Sequence, residues 1–239
     1  MNITIVRLII GILLLVVPAL ILFRLDRRFL RMSASVMGRL VIVLAVMALC
    51  LYYIFQWDKA WLNILWVLLS SGVATAVYCR KRWQSVPIYV SMTIVTFVMG
   101  ILVLLLMDVS RLFSADVFIP VMTMLQAEAL FVCKRGITTY VLERRTHKEL
   151  FEYLRGNGAN QLEALRPFLT KSITRAFAPV LSQLLLVGLV FVPSLLCGLL
   201  LGGVQPLQAI AFLALMTSAA LCSTMLILVF SIYIYTRMS

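Results

Sequence analysis

Apolar residues dominate seven stretches of the chain, near 5–23, 33–55, 60–79, 86–107, 117–133, 179–203 and 206–236, and short polar segments separate them. A bilayer core of about 30 Å is crossed by about 20 helical residues rising about 1.5 Å each, so every stretch is a candidate span. The pattern predicts an all-α polytopic membrane protein with seven transmembrane helices, forming a single transmembrane domain over 1–239. The polar segments at 56–59, 108–116 and 202–205 are too short to hold a binding domain.

Most of the soluble mass falls between the fifth and sixth stretches, at 134–178. A segment this short cannot bury its own core but has room for two or three helices. Within Lys148–Arg155, Leu150, Phe151 and Leu154 share one face. Gly156-Asn157-Gly158 predicts a stop, because Gly and Asn tolerate the left-handed backbone that ends a helix. Asn160 and Glu163 are spaced as a variant capping box. Pro167 is expected to interrupt the next helix. Beyond it Phe168, Leu169, Ile173 and Phe177 recur at helical spacing, with Lys171 and Arg175 opposite. That stretch predicts an amphipathic helix leading into span six, with Pro179 near its first turn. The whole reads as an amphipathic helical hairpin. It is either a connector lying on the headgroups or an element that docks into a groove of a soluble partner.

Charge sets the orientation. Eighteen of the 21 Lys and Arg residues follow spans one, three, five and seven, leaving Arg7, Lys59 and Arg111 on the other side. The positive-inside rule then predicts an outer N-terminus, a cytosolic C-terminus and a cytosolic hairpin. A net charge of +12 is explained by this asymmetry, which removes the case for nucleic acid. The first stretch lacks a basic start and a small-residue cleavage site, and is expected to remain in the protein. With 63% hydrophobic and 13% charged residues, a soluble domain is excluded. Cys50, Cys79, Cys133, Cys197 and Cys222 lie in different spans with no C-x-x-C pair, so they read as packing residues.

Several chemistries are missing. No Gly-rich phosphate cradle ends in Lys, so any ATP-Mg must bind a partner chain. His147 is the single histidine and lies in the hairpin segment, which leaves no imidazole set for an intramembrane metal or haem. Met122 and Met124 point in different directions on a helix and form no soft-metal path. Convergent acids and histidines are lacking, so the reading is not an enzyme and has no cofactor of its own.

One acid lies inside a span. Glu128 stands six residues before Lys134, about 9 Å below the cytosolic boundary on a helical rise. At that depth it is a cargo or cation contact, or a hydrogen-bonded structural acid. Thr123 and Gln126 occupy other faces of the same span. Pro193, with Gly188 and Gly198 nearby, predicts a kinked or broken sixth helix whose freed backbone could line a path. Small residues recur every four positions at Ser70 and Ala74, and at Ala214, Ser218 and Cys222. They predict close helix packing within the chain or across a dimer.

Short motifs in order along 35–235 resemble the FetB-type permease family, membrane subunits of ATP-binding-cassette transporters linked to iron export. The same membrane domain occurs in plant half-transporters of aluminium tolerance. They are Ser35-Val36-Met37-Gly38-Arg39, Tyr53-Ile54-Phe55, Phe118-Ile119-Pro120, Gly158-Ala159, Arg175-Ala176 with Pro179, Val187-Gly188-Leu189-Val190 with Pro193 and Gly198, and Gly203-Val204-Gln205-Pro206 with Ala209-Ile210. Glu152, six residues before Gly158, is similar to the coupling-loop signature of such permeases. The chain departs from the family elsewhere. Thr123–Leu130 replaces a G-M-x-x-G-N-A-M run, and Ser182-Gln183 with three leucines replaces D-S-x-K-T. Ser194-Leu195-Leu196 follows Pro193 where the family has G-M-M, and Phe212-Leu213 stands for Tyr-Gln.

The resemblance implies a multi-pass inner-membrane permease, acting as a homodimer in membrane lipid with two copies of a separate ATPase. Leu150, Phe151, Glu152, Leu154, Gly158 and Ala159 would receive the ATPase. Glu128, Gln126, Thr123, Ser182, Gln183 and Pro193 would line the path for a metal or small solute. The exchange of polar interior residues for Leu motivates an alternative, a degenerate non-transporting partner that anchors another complex.

Overall fold

The computed structural model describes residues 27–79, 82–107, 112–186 and 194–238. Among them are eight α-helices and no strand: α1 (Arg27–Trp57), α2 (Ala60–Tyr78), α3 (Arg82–Leu106), α4 (Ala115–Thr146), α5 (Lys148–Gly156), α6 (Gln161–Leu186), α7 (Ser194–Leu201) and α8 (Pro206–Met238). Five helices are long and apolar enough to cross a bilayer, at Ser35–Trp57, Ala60–Tyr78, Ser85–Leu106, Ala115–Thr146 and Pro206–Met238. The expected first span, and the middle of the sixth with Gly188 and Pro193, lie outside the described residues.

The chain divides into two compact units, 1–57 and 58–239. In the first, most apolar side chains of α1 from Val36 onward are exposed, Val41, Ile42 and Leu49 well so. A helix apolar on every side is stable in lipid, where exposed Val and Leu cost nothing.

In the second unit α4 is the central post, touching α2, α3, α5, α6 and α8. At about 1.5 Å per residue its 32 residues exceed the thickness of a bilayer, so its C-terminal part stands beyond the apolar run that ends at Cys133. Leu125, Ala129, Cys133, Ile137 and Tyr140 are fully buried down one side of it. The core continues through Ile88 and Met92 of α3 and Ile227, Leu228 and Ile232 of α8.

Small residues set the close approaches. A Cβ on Gly136 of α4 would overlap Leu228 of α8, and the Gly136 carbonyl accepts the Ser172 hydroxyl of α6 at 2.7 Å. On α2 the buried stripe is Asn63, Val67, Ser71 and Thr75, one position round from the predicted Ser70 and Ala74. Ala214, Ser218 and Cys222 of α8 face outward. The small residues that the four-residue spacing picked out thus lie beside or opposite the buried stripes rather than in them. The described cysteines are free thiols.

Pro167 does not interrupt a helix. It lies inside α6, as does Pro179. Ala164, Leu165 and Phe168 are buried around Pro167, and this packing holds the helix together across the hydrogen bond that proline removes. The amphipathic stretch and the first part of the expected sixth span are therefore one continuous helix.

Candidate functional site

The hairpin turn forms as the local sequence predicts. α5 ends at Gly156, Gly158 has φ +85°, and the Ala159 N–H donates to the Leu154 carbonyl at 3.1 Å. The Asn160 N–H donates to Glu163 Oε2 at 2.8 Å, one half of a capping box at the start of α6. On α5, Leu150 and Tyr153 are exposed at 43% and 67%, while Phe151 leans on the core. Leu154 is half-buried, and Glu152 pairs with Lys148 at 3.5 Å on the outer side. An apolar tip thus projects beside a left-handed turn. Ala159 is half-buried at its base.

This turn is braced from below. Glu143 of α4 is buried and accepts Lys171 Nζ at 2.6 Å and Arg175 Nη1 at 2.7 Å, both from α6. His147 Nε2 stands 3.6 Å from the same carboxylate. The Lys171 hydrogen bond, followed by the charges of Lys171, Arg175 and His147, holds the Glu143 carboxyl below the usual range against the opposing effect of burial. Lys171 and Arg175, on the polar face of α6, therefore tie it to α4 beside the buried contact of Ser172 with Gly136.

A second cluster lies lower on α4. Glu128, Arg135, Gln183 of α6 and Thr224 of α8 line a hollow of about 290 Å3 with Phe131, Val132, Pro179, Val180 and Leu221. Glu128 and Arg135 are seven residues apart and so share a face of α4. Thr224 is 2% exposed and its hydroxyl has no hydrogen-bond partner. A larger hollow of about 680 Å3 opens at the other end of α4, with Asp116, Val117 and Pro120 facing Leu195 and Leu199 of α7 and Gln208 and Phe212 of α8. Val117 lies eleven residues before Glu128, within about 20° on a helix, so one face of α4 borders both hollows. Facing it are α8 in both hollows, α6 in the smaller and α7 in the larger, the last two being the described ends of the expected sixth span.

Of the predicted path residues, Glu128 and Gln183 meet in the inner hollow. Gln126 is buried elsewhere on α4, its Nε2 without a partner. The Thr123 hydroxyl bonds back to the Ile119 carbonyl at 2.7 Å, and the Ser182 hydroxyl to Ala178 at 2.9 Å. None of these three lines the hollow. Pro193 lies outside the described residues. Sequence reasoning missed Arg135 and Thr224; the seven-residue spacing from Glu128 was the available signal for the first. It also missed Asp58, whose carboxylate accepts the Ala115 N–H at 2.7 Å and caps α4 from another loop.

Comparison with known proteins places these features in context. A family model described as "Uncharacterised protein family (UPF0014)" matches residues 5–238. The chain is similar to the "Probable iron export permease protein FetB" of Escherichia coli (strain K12), 27% identical over 205 residues that cover 84% of this chain and 78% of that protein. No solved structure matches.

Proposed function

This chain belongs to the UPF0014 family, and we propose that it is the membrane-spanning permease subunit of an ATP-binding-cassette transporter. Its likeness to a protein named as an iron export permease, over most of both chains, is the observation that carries the permease reading. Five apolar helices support a multi-pass membrane protein, and the proposed site is the inner membrane with the hairpin in the cytosol. The geometry supplies a mechanism. Two copies of a partner ATPase grip the exposed tip of α5 and the turn at Gly158. Because Glu143 ties α4 to α6, force on that turn moves both helices that frame the hollows. Movement of span six against α4 then alternates access along their shared face. The outward stripe Ala214, Ser218, Cys222 suits close approach of a second copy, as in a homodimer.

A charge on the apolar tip tests docking. Leu150→Asp with Leu154→Asp is expected to abolish co-purification of the ATPase while leaving the helical content by circular dichroism unchanged. Retained partner binding in the double variant would sink the docking role.

A second reading is favoured by the leucines that replace the family's polar run after Gln183. In it the chain anchors a complex without transporting. Reconstitution separates the two, since ATP hydrolysis without movement of any solute supports the anchor.

A further inference from the structure

The inner hollow collects side chains that nothing else in the fold uses. Among the described residues, Glu128, Arg135 and Gln183 form no hydrogen bond or ion pair, and the buried Thr224 hydroxyl is unpartnered. A carboxylate, a guanidinium, an amide and a hydroxyl from three helices thus converge within walls that include Phe131 and Leu221. Ligand pockets have this make-up, a few placed polar groups in an apolar enclosure, and 290 Å3 sits at the small end of their range.

We propose that this hollow binds a small zwitterionic organic solute, its cationic group at Glu128 and its anionic group at Arg135, in preference to a bare metal ion. The charges favour this class. Glu128 lies inside the apolar run, where an uncompensated acid is costly, while Arg135 stands two residues beyond its end at Cys133, and one ligand carrying both signs reaches both groups. Arg135 offers a planar fork suited to a carboxylate or phosphonate. Gln183 and Thr224 add further hydrogen-bonding groups to the same lining.

A metal ion is poorly served. Hard cations take six or more oxygen ligands, usually several carboxylates, and softer ones take imidazole or thiolate. Among the described residues no group of three His, Cys, Asp or Glu comes together. Residues 187–193, which follow Gln183 on the same span, contain none of those types. The guanidinium also repels a cation. A phospholipid headgroup has the wrong polarity along the membrane normal. Its amine lies farther from the bilayer centre than its phosphate, whereas Glu128 lies deeper than Arg135 relative to the charged end of the span.

Only the statement that this solute is cargo rests on the permease reading; binding itself does not. Isothermal titration of the full chain in phosphatidylcholine nanodiscs tests it, with γ-aminobutyrate and 6-aminohexanoate as probes and butylamine, butyrate and Mn2+ as comparators. At least one of the two amino acids is expected to bind. Glu128→Gln and Arg135→Gln are each expected to weaken that binding roughly 10- to 100-fold, the usual loss of a charged contact. Both variants remove the charge and keep a polar side chain, and unchanged thermal unfolding checks their fold. Binding of Mn2+ that depends on Glu128, displacement of the amino acid by phosphatidylethanolamine, or no binding of either amino acid overturns the proposal. Binding of an amino acid by an ATPase complex that hydrolyses ATP yet moves no solute sinks the permease reading and leaves this one standing. ATP-driven movement of Mn2+ without amino-acid binding does the reverse.

Discussion

Glu143 carries one negative charge at a point where His147, at the end of its own helix, and Lys171 and Arg175 of α6 converge. Its carboxyl titrates below the ordinary value of 4.5, chiefly through the Lys171 hydrogen bond. A carboxyl depressed in the folded state stabilises the fold above that value, and the contribution is lost as pH falls through the folded pKa. The detergent-solubilised protein is therefore expected to lose unfolding temperature below about pH 4.5. Glu143→Gln should unfold at lower temperature at pH 7 and show a flatter acid limb. Superimposable limbs for the two proteins would contradict this role. The residue was not singled out in the sequence because its partners lie 28 and 32 residues further on. Helical spacing described Lys171 and Arg175 as one face without saying what that face meets.

At the scale of elements, Gly136 is the crossing point of α4, α6 and α8. Leu228 lies fully buried against it, and a branched buried side chain cannot swing aside. Gly136→Ala is expected to cost about 1–3 kcal/mol by forcing α8 outward. Gly100→Ala meets only the flexible end of Met122 and should cost less. Comparing unfolding midpoints in the same detergent checks the order; equal midpoints would show that α8 yields freely. The α5 stop and the half capping box at Asn160 were legible because both depend on residues within four positions. The persistence of α6 through Pro167 was not. Local steric cost argues for a break there, and burial of Ala164, Leu165 and Phe168 overrides it.

For the whole molecule, the asymmetry of eighteen basic residues against three predicts that the hairpin faces the cytosol. A cysteine at the exposed turn, Asn157→Cys, in a chain whose own thiols are replaced, should react with an impermeant maleimide only in inside-out vesicles. Reaction from intact cells would reverse the orientation and with it the docking of any cytosolic ATPase.

Membrane residence, the positions of the apolar helices and the turn at Gly158 were determined by the sequence alone. Each depends on how single residues, or neighbours within a turn, partition between lipid, water and helix. The tertiary structure decided which polar groups share a space: Glu143 with Lys171 and Arg175, and Glu128 with Arg135, Gln183 and Thr224. Lipid is as apolar as leucine, so hydrophobicity places a helix in the membrane without choosing its neighbours. Close packing at small residues and buried charge pairs make that choice, and both belong to surfaces far apart in the chain.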